Sequence, residues 1–593
     1  MSKTVLHRLA LWAKETPNVP AQRYKVKGVW KSISAKEYFE RVYFLALYFE
    51  SKGIGAGDTG AILSYNCPEW VHNDLAVLLL GAKSAGLYPN STSNDIAYVL
   101  KHTEAKVLGV QNKDYFKKIT AENEVPKSIR LILVYDGDTS ISPIAVSYLD
   151  AVAEGKKLSE KPDCKTPQDF LNKLDPHAGA FMIYTSGTTG NPKGALLSHD
   201  NLTFTSDTVA KIWDLPVAKG SMISFLPLCH IAEKVQSIGV GICQRYTVSF
   251  CTKFDALTVE LPEVQPTLLL SVPRLWEKMM EGVMAKVSRG KGVKKHLALW
   301  ALGVGERAAI TRLAGKSLSP LGQIQFNLAN KLVLSKIRAA LGLTNAALLA
   351  SGAAPLPAQV SRWFRIFGME INECFGMTES TGVICLTIPE TDCAGTVGKP
   401  VSAFEFKLAD DGEILSKGRH IFVGYFKDDA ATALSLQDGW LHTGDLGEWT
   451  DKGLMRIRGR KREIMKTSGG KMIAPAPIEE RIKTSAIISQ VCMVGDNRKY
   501  LSALITLSEA VIADVQSKSM SKDGVVTDKK LIKEVSDHLD EINKTLAGFE
   551  QIKKFAVIDR EFSIESGEMT PTLKMKRSVI ESRFKGIIDN LYV

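Results

Sequence analysis

The chain has 593 residues, with Lys+Arg 75 against Asp+Glu 64 and a formal net charge of +11. Hydrophobic residues make up 45% and charged residues 23%, the balance of a globular protein with a large core, which excludes a disordered chain, a collagen-like fibre and a small disulfide scaffold. At roughly 150 residues per domain, the length implies several domains.

The first residues, MSKTVLHRLALWAKETP, place Val5, Leu6, Leu9 and Trp12 at helical spacing and predict an amphipathic helix that stops before Pro17. Arg8 interrupts any signal-like apolar run, and no small-residue cleavage site follows. Residues 59–64 (TGAILS) read as a strand ending at Asn66-Cys67-Pro68, followed by an apolar helix over 70–85 and a turn at 87–90. Residues 106–110 and 130–134 (KVLGV, RLILV) read as further strands. Short apolar runs alternating with helical stretches are the pattern of α/β layers around a largely parallel sheet. From about residue 411 the texture changes to short strands and Gly turns (DGEILSKG, HIFVGYF, GLMRIRG), predicting a β-rich subdomain over about 395–459. Beyond Arg462 comes a mixed segment, with helices over 478–484 and 529–546 and strands over 491–494 and 504–507. The expected organisation is an N-terminal domain over 1–459 and a small α+β C-terminal domain over 460–593.

Two global features bound the function. No stretch reaches the roughly 18 uninterrupted apolar residues of a spanning helix, so a soluble or peripheral protein is expected. The nine cysteines are scattered without a CxxC pair, which points to a reducing, cytoplasmic setting and away from zinc or disulfides. Residues 286–338 hold eleven basic residues against Glu306 alone, so +10 of the net charge sits in one segment. Its leucines, with Trp300 and Phe326, predict two basic amphipathic helices around a break at Ser319-Pro320. No nucleic-acid-binding signature accompanies them, so nucleic acid is not expected as a partner. The segment is either a solvated helical face or a surface that meets anionic lipid.

The chemistry concentrates at residues 180–194, AFMIYTSGTTGNPKG. A strand-like run delivers the chain into a loop of Thr185, Ser186, Gly187, Thr188, Thr189 and Gly190, closed by Lys193. Glycines let backbone N–H groups approach an anion, hydroxyls donate to it and Lys adds a point charge, so the loop is suited to phosphate. It lacks the GxxxxGK[ST] spacing of a P-loop, and Tyr184 stands where a GxSxG nucleophile elbow needs Gly.

With this loop in hand, the chain resembles the adenylate-forming acyl-CoA synthetases, whose signature is [ST]SG[ST]TGxPKG, and separated motifs from residue 57 to Arg577 agree. Residues 225–234 (FLPLCHIAEK) resemble the motif lining the acyl site, which implies His230 at its mouth; a Cys229–His230 dyad is disfavoured because sequence neighbours on an extended chain point apart. Residues 351–355 (SGAAP) resemble the adenine loop through Gly352, Ala353 and Ala354. Residues 373–379 (ECFGMTE) resemble the YGxTE motif: Glu373, Cys374, Phe375 and Gly376 border adenine, Thr378 donates to phosphate, and Glu379 with Thr185 ligates Mg²⁺. Phe375 replaces the usual Tyr, keeping the aromatic face but losing the hydroxyl, and Glu373 is either an acceptor near the adenine amino group or a solvated surface residue. Asp445 in LHTGD and Arg460 in RGRKREIMK resemble the ribose ligands, and Arg462 stands at the hinge, where Asp or Lys is commoner. Lys466 and Gly469 border a turn that is either a plain β-turn or part of a pantetheine passage. The terminal motif MTPTLKMKR places the catalytic lysine at Lys574.

The resemblance implies a large layered α/β N-terminal domain, a mobile C-terminal lid, ATP and Mg²⁺ as cofactors, and CoA as co-substrate. The segment after SVPRLWEK, together with TSGGKMIAPAPIEE and GDNRKYLSALITL, most resembles long-chain fatty acyl-CoA synthetases of the bubblegum type. The expected reaction is therefore ATP-dependent activation of a fatty acid to acyl-AMP, then transfer to CoA. A ligase for another bulky carboxylate, a carrier-protein loader and a silent lipid-binding scaffold are the alternatives.

Overall fold

A computed structural model describes residues 4–185, 191–388, 393–518 and 520–593. The expected first helix is Val5–Glu15; Thr4 caps it by accepting from the His7 N–H, and Val5, Leu6, Leu9 and Trp12 are all buried. The helix predicted over 70–85 is instead Pro68–Leu79, and Ala85 belongs to the strand Lys83–Leu87. The apolar run is continuous, so periodicity alone cannot separate a buried helix from a buried strand. Gly81, at φ +73°, ends the helix, and the chain then pairs in parallel with Thr59–Leu63 through Thr59↔Lys83.

Two largely parallel sheets build the large domain. In the eight-stranded sheet, the parallel strands run in the spatial order Gly179–Thr185, Lys83–Leu87, Thr59–Leu63, Val107–Val110, Leu131–Val134 and Ala145–Ser147. In the nine-stranded sheet the parallel order is Ile371–Phe375, Leu348–Gly352, Leu268–Ser271, Ser221–Ser224, Thr247–Phe250 and Pro20–Val26, with antiparallel strands at both edges. Both are buried by helices, which is why their strands are nearly continuous apolar runs. The β-rich region forms a five-stranded antiparallel sheet including Glu413–Lys417, Trp440–Trp449 and Met455–Arg460. Its last strand runs through Arg460 because Asp445 and Arg460 are cross-strand partners. Gly424–Tyr425 leave this region and pair with Lys193–Ser198 of the eight-stranded sheet.

The separate C-terminal domain has its own mixed five-stranded sheet around Ile488–Val494, Leu501–Leu507 and Ile552–Ile558, and its own core, which includes Met465, Ile478, Val491, Ile505, Val535 and Val557. The basic segment is spread over more helices than the two expected: Pro273–Arg289, Gly292–Leu313 and Pro320–Ala329, which continues through a widened turn, Asn330–Leu334, into Ser335–Ala340. The break at Ser319-Pro320 is a helix start, with Ser319 accepting from the Gly322 N–H and Pro at the first position. Among the described residues no helix is long and apolar enough to cross a membrane, and all nine cysteines are free of disulfides.

Candidate active site

The motifs converge where strands of both large sheets end. Gly179–Thr185 carries Thr185 to its carboxyl end, opposite Lys193 across the antiparallel pair, and the Thr185 hydroxyl donates to the Lys193 carbonyl at 3.5 Å. Ser186, Gly187, Thr188, Thr189 and Gly190 lie outside the described residues. Leu348–Gly352 and Ile371–Phe375 are neighbours, with Gly352 opposite Cys374, so the SGAAP and ECFGMTE segments leave the sheet side by side at its carboxyl edge, where open α/β sheets bind ligands. Ala353 is held in the left-handed region at φ +68°. Gly376 cannot carry a side chain, since a Cβ there would sit 2.4 Å from the Gly382 carbonyl oxygen. Phe375 packs toward Ile384 and Cys385.

Glu373 is buried rather than solvated, and its Oε2 accepts from the Leu356 N–H at 3.3 Å. Burial pushes its carboxyl up to about 8 against that single opposing bond, so it is protonated at neutral pH and can both donate and accept. Thr378 and Glu379 sit on the single turn Thr378–Ser380. The Glu379 side chain is also buried, and its Oε1 accepts from the Tyr425 hydroxyl at 2.6 Å. The Lys193 ammonium lies 5.3 Å from the centroid of the same Tyr425 ring and 3.8 Å from Asp428. Tyr425 thus ties Lys193 to Glu379. Sequence reasoning missed it, because a Gly-Tyr pair in a β-rich stretch carries no chemical signature of its own.

On the β-rich sheet the Arg460 Nε donates to Asp445 Oδ1 at 3.1 Å. Desolvation raises the Asp445 pKa, with Arg460 and Lys574 opposing it. The C-terminal domain supplies Lys574 from a tight hairpin. Met569 and Met575 bridge its stem; the Lys574 N–H donates to Thr570 Oγ1 at 3.0 Å, the Thr570 N–H donates to the Lys574 carbonyl at 2.8 Å, and Leu573 at the tip takes φ +59°. Fully buried Glu568 anchors the stem by accepting from Arg560 at 2.5 and 2.8 Å and from Arg583 at 3.2 Å. Arg577, the last residue of the motif, forks onto Glu479 at 2.8 and 3.0 Å. These anchors come from segments far apart in sequence, and no spacing announces them.

The hairpin reaches the large domain, where the Asn90 Nδ2 donates to the Pro571 carbonyl at 2.8 Å. Lys574 keeps contact with solvent but is crowded by protein, and this desolvation is the largest influence lowering its pKa below the ordinary 10.5. Arg460 lowers it further, while Asp445, Glu379 and Glu463 act the other way. His230 shares the cleft: burial, followed by the nearby Lys574 charge, pushes its pKa down to about 4, so the imidazole is neutral at physiological pH. Its Nδ1 accepts from the Ala232 N–H at 3.2 Å. Cys229 packs against Gly86, where a Cβ would lie 2.6 Å from the Cys229 Cβ, and burial raises its thiol pKa; the two side chains form no nucleophilic dyad.

Arg462, Lys466 and Gly469 are exposed, and the Arg462 charge reaches the cluster, where it opposes the rise of the Tyr425 pKa. Arg462 lies in the short turn Lys461–Glu463, whose Lys461 ammonium meets Asp411 at 2.5 Å and Glu413 at 3.2 Å. Lys466 and Gly469 border the hairpin of Met465–Lys466 and Met472–Ile473, closed by the Gly470 N–H donating to the Thr467 carbonyl at 2.8 Å.

Fold and site together define a nucleotide-binding enzyme with a lysine-bearing second domain closing over a strand-edge cleft. The chain belongs to the AMP-binding enzyme family, which matches residues 9–426, and the family's C-terminal domain matches residues 462–593. It is 31% identical over 600 residues to the long-chain-fatty-acid–CoA ligase ACSBG2 of Xenopus laevis, covering 95% of this chain and 80% of that protein. It is 31% identical to the long-chain-fatty-acid–CoA ligase FadD15 of Mycobacterium bovis, covering 98% and 95% of the respective chains. Among solved structures, the adenylation domain of a carboxylate reductase from Mycobacterium chelonae shares the fold at a TM-score of 0.74 and 20% identity, covering 99% of this chain and 91% of that one. The o-succinylbenzoate coenzyme A synthetase of Bacillus subtilis, in complex with ATP and magnesium, shares it at 0.67 and 20%, covering 96% and 98%.

Proposed function

We propose that the protein is an AMP-forming long-chain fatty acid:CoA ligase that uses ATP and Mg²⁺. The observation that carries the reading is the meeting of Lys574 from one domain with Asp445, Arg460, Glu379 and His230 from the other. Joining a carboxylate to the α-phosphate of ATP brings two anions together, so positioning and charge neutralisation supply most of the rate. Lys574, protonated, holds the carboxylate and an α-phosphate oxygen together as the acyl–phosphate bond forms and pyrophosphate leaves. Asp445 and Arg460 hold the ribose; Lys193, Thr185 and Thr378 donate to the phosphates; neutral His230 borders the acyl group without adding a charge that would trap the fatty carboxylate.

The residues present suit a hard cation. Glu379 has one oxygen engaged by Tyr425, and among the described residues nothing else donates to its carboxylate. Glu379, with the Thr185 hydroxyl, would hold Mg²⁺, which when bound neutralises phosphate charge. Among the described residues no group of three or more His, Cys, Asp or Glu could cage a metal; an ion held chiefly by substrate phosphates needs no such cage.

For the second half-reaction the domain that follows the hinge turns about Arg462, withdrawing Lys574 and presenting the Lys466–Gly469 turn to pantetheine. The CoA thiolate then attacks the acyl carbonyl and AMP leaves. The setting is cytoplasmic, with residues 286–338 in peripheral contact with anionic membrane. ATP–pyrophosphate exchange across a panel of acids, followed by CoA-dependent product release, tests the reading. Palmitate and oleate are expected to drive exchange far better than acetate or benzoate; equal rates would overturn the long-chain assignment, and no exchange with any acid would leave a silent scaffold.

A further inference from the structure

The chain between Leu268–Ser271 and Leu348–Gly352 is an excursion rooted in the active site, because these strands are paired neighbours through Ser271↔Ser351. It leaves at the carboxyl edge of the sheet. One side of its long helix Gly292–Leu313 is clamped to the body, with Ala301, Leu302, Val304, Gly305 and Ala308 buried and Gly305 so close to Ile366 that a Cβ would lie 2.5 Å from its carbonyl oxygen. The Arg312 guanidinium lies 4.4 Å above the Phe326 ring, joining this helix to Pro320–Ala329. Ala329 and Leu334 sit in the same core as Ala301 and Leu302. The helical pair is therefore packed into the fold, and what it leaves outside is a structured surface.

That outer surface is apolar as well as basic. Val293, Leu297 and Trp300 recur at helical spacing and are exposed, Val293 by 84%; on the next helix Leu321, Ile324 and Leu328 do the same, Leu321 by 65%. Lys291, Lys294 and Lys295 are interleaved with the first stripe, and Lys316 and Lys331 flank the second. Among the described residues no carboxylate lies within ion-pair distance of any of the five. Exposed apolar stripes of this length are not left open to water without a use.

We propose that this face, the outer side of helices Gly292–Leu313 and Pro320–Ala329, docks on an anionic lipid bilayer, with the two apolar stripes entering the headgroup layer and the lysines on lipid phosphates and carboxylates. The inference rests on the proposed fatty-acid reading for its purpose, since it sets the excursion rooted at the acyl-activating edge against the phase that holds the substrate. Charge decides the occupant. A second copy on the same face would set these five lysines against five more, and a nucleic-acid backbone offers nothing to Val293, Leu321 or Ile324; an anionic interface satisfies both the lysines and the apolar side chains.

The test is cosedimentation of the full chain with vesicles of equal parts phosphatidylcholine and phosphatidylserine, and with vesicles of phosphatidylcholine alone. Binding is expected to the mixed vesicles and to weaken as salt is raised. Lys291→Gln/Lys294→Gln/Lys295→Gln should lower it about a hundredfold, roughly fivefold per lysine. Leu321→Ser/Ile324→Ser/Leu328→Ser should lower it comparably while keeping the salt response. Both variants should melt at the wild-type temperature and retain wild-type ATP–pyrophosphate exchange with a water-soluble medium-chain acid. Exchange without vesicle binding overturns the docking face and leaves the ligase reading intact, whereas binding without exchange supports the face and removes the ligase reading. Equal binding to both vesicle types, or variants that bind like wild type, would overturn the proposal. So would wild-type dimerisation in sedimentation velocity that the serine variant abolishes, with neither protein binding vesicles.

Discussion

Replacing Tyr425 by Phe isolates one hydrogen bond. The ring stays, keeping its edge-to-face contact with Phe422 at 5.0 Å and the Lys193 ammonium above it; the loss is the hydroxyl that donates to Glu379 at 2.6 Å. Burial and the neighbouring carboxylate raise the phenol pKa, so Tyr425 is a donor throughout the working pH range. A short bond to a charged carboxylate contributes about 1.5–3 kcal/mol, or roughly a 10–100-fold effect. Glu379 is only 5% exposed, so water replaces the donor poorly and its rotamer is freed. Exchange by Tyr425→Phe should therefore need more Mg²⁺ and fall by about one to two orders of magnitude at limiting Mg²⁺, with weaker binding of Mn²⁺–ATP read by spin resonance. Thioester formation from presynthesised acyl-AMP, which involves no triphosphate, should be nearly unchanged. An unaltered Mg²⁺ dependence, or equal loss in both half-reactions, would refute the idea that Tyr425 orients the metal-binding carboxylate.

Lys574→Ala should abolish exchange while sparing CoA transfer from synthetic acyl-AMP, and equal loss of both would contradict its role. Because the protonated form acts and its pKa is lowered, wild-type exchange should decline on the alkaline side below the ordinary lysine value of 10.5, and Lys574→Arg should move that limb to higher pH. The Glu568 carboxyl is held below its ordinary 4.5 by Arg560 and Ser566 despite burial, so its stabilisation is present above the unfolded-state pKa and is lost as pH falls through the folded-state value. Glu568→Gln should cost the C-terminal domain about 2–3 kcal/mol near neutral pH, less than a fully buried pair because both arginines keep solvent access. The deficit should vanish in chemical denaturation at acid pH; a pH-independent deficit would point to packing instead of charge.

The chemical vocabulary of the site was legible residue by residue. Thr185, Lys193, Glu379, Asp445, Arg460 and Lys574 stand in short motifs whose composition already states what they can bind, since hydroxyls, ammonium groups and carboxylates have fixed chemistry wherever they fold. The strands and most helices were legible for the same local reason, namely apolar spacing. The helix over 70–85 was not, because a fully buried segment is apolar on every side and only Gly81 and the Thr59↔Lys83 pairing separate helix from strand.

The sequence by itself determined the family resemblance, the α/β layering, the candidate side chains for phosphate and ribose, and the confinement of +10 of charge to one segment. Tertiary structure alone decided that Asp445 and Arg460 face each other across a strand pair, that Tyr425 stands between Lys193 and Glu379, that Glu373 is buried and protonated, and that Lys574 crosses from one domain to meet His230 of the other. The reason is physical. A side chain's chemistry is local, but its neighbours, its solvation and therefore its protonation are set by segments hundreds of residues away, which only the packed chain brings within a few ångströms.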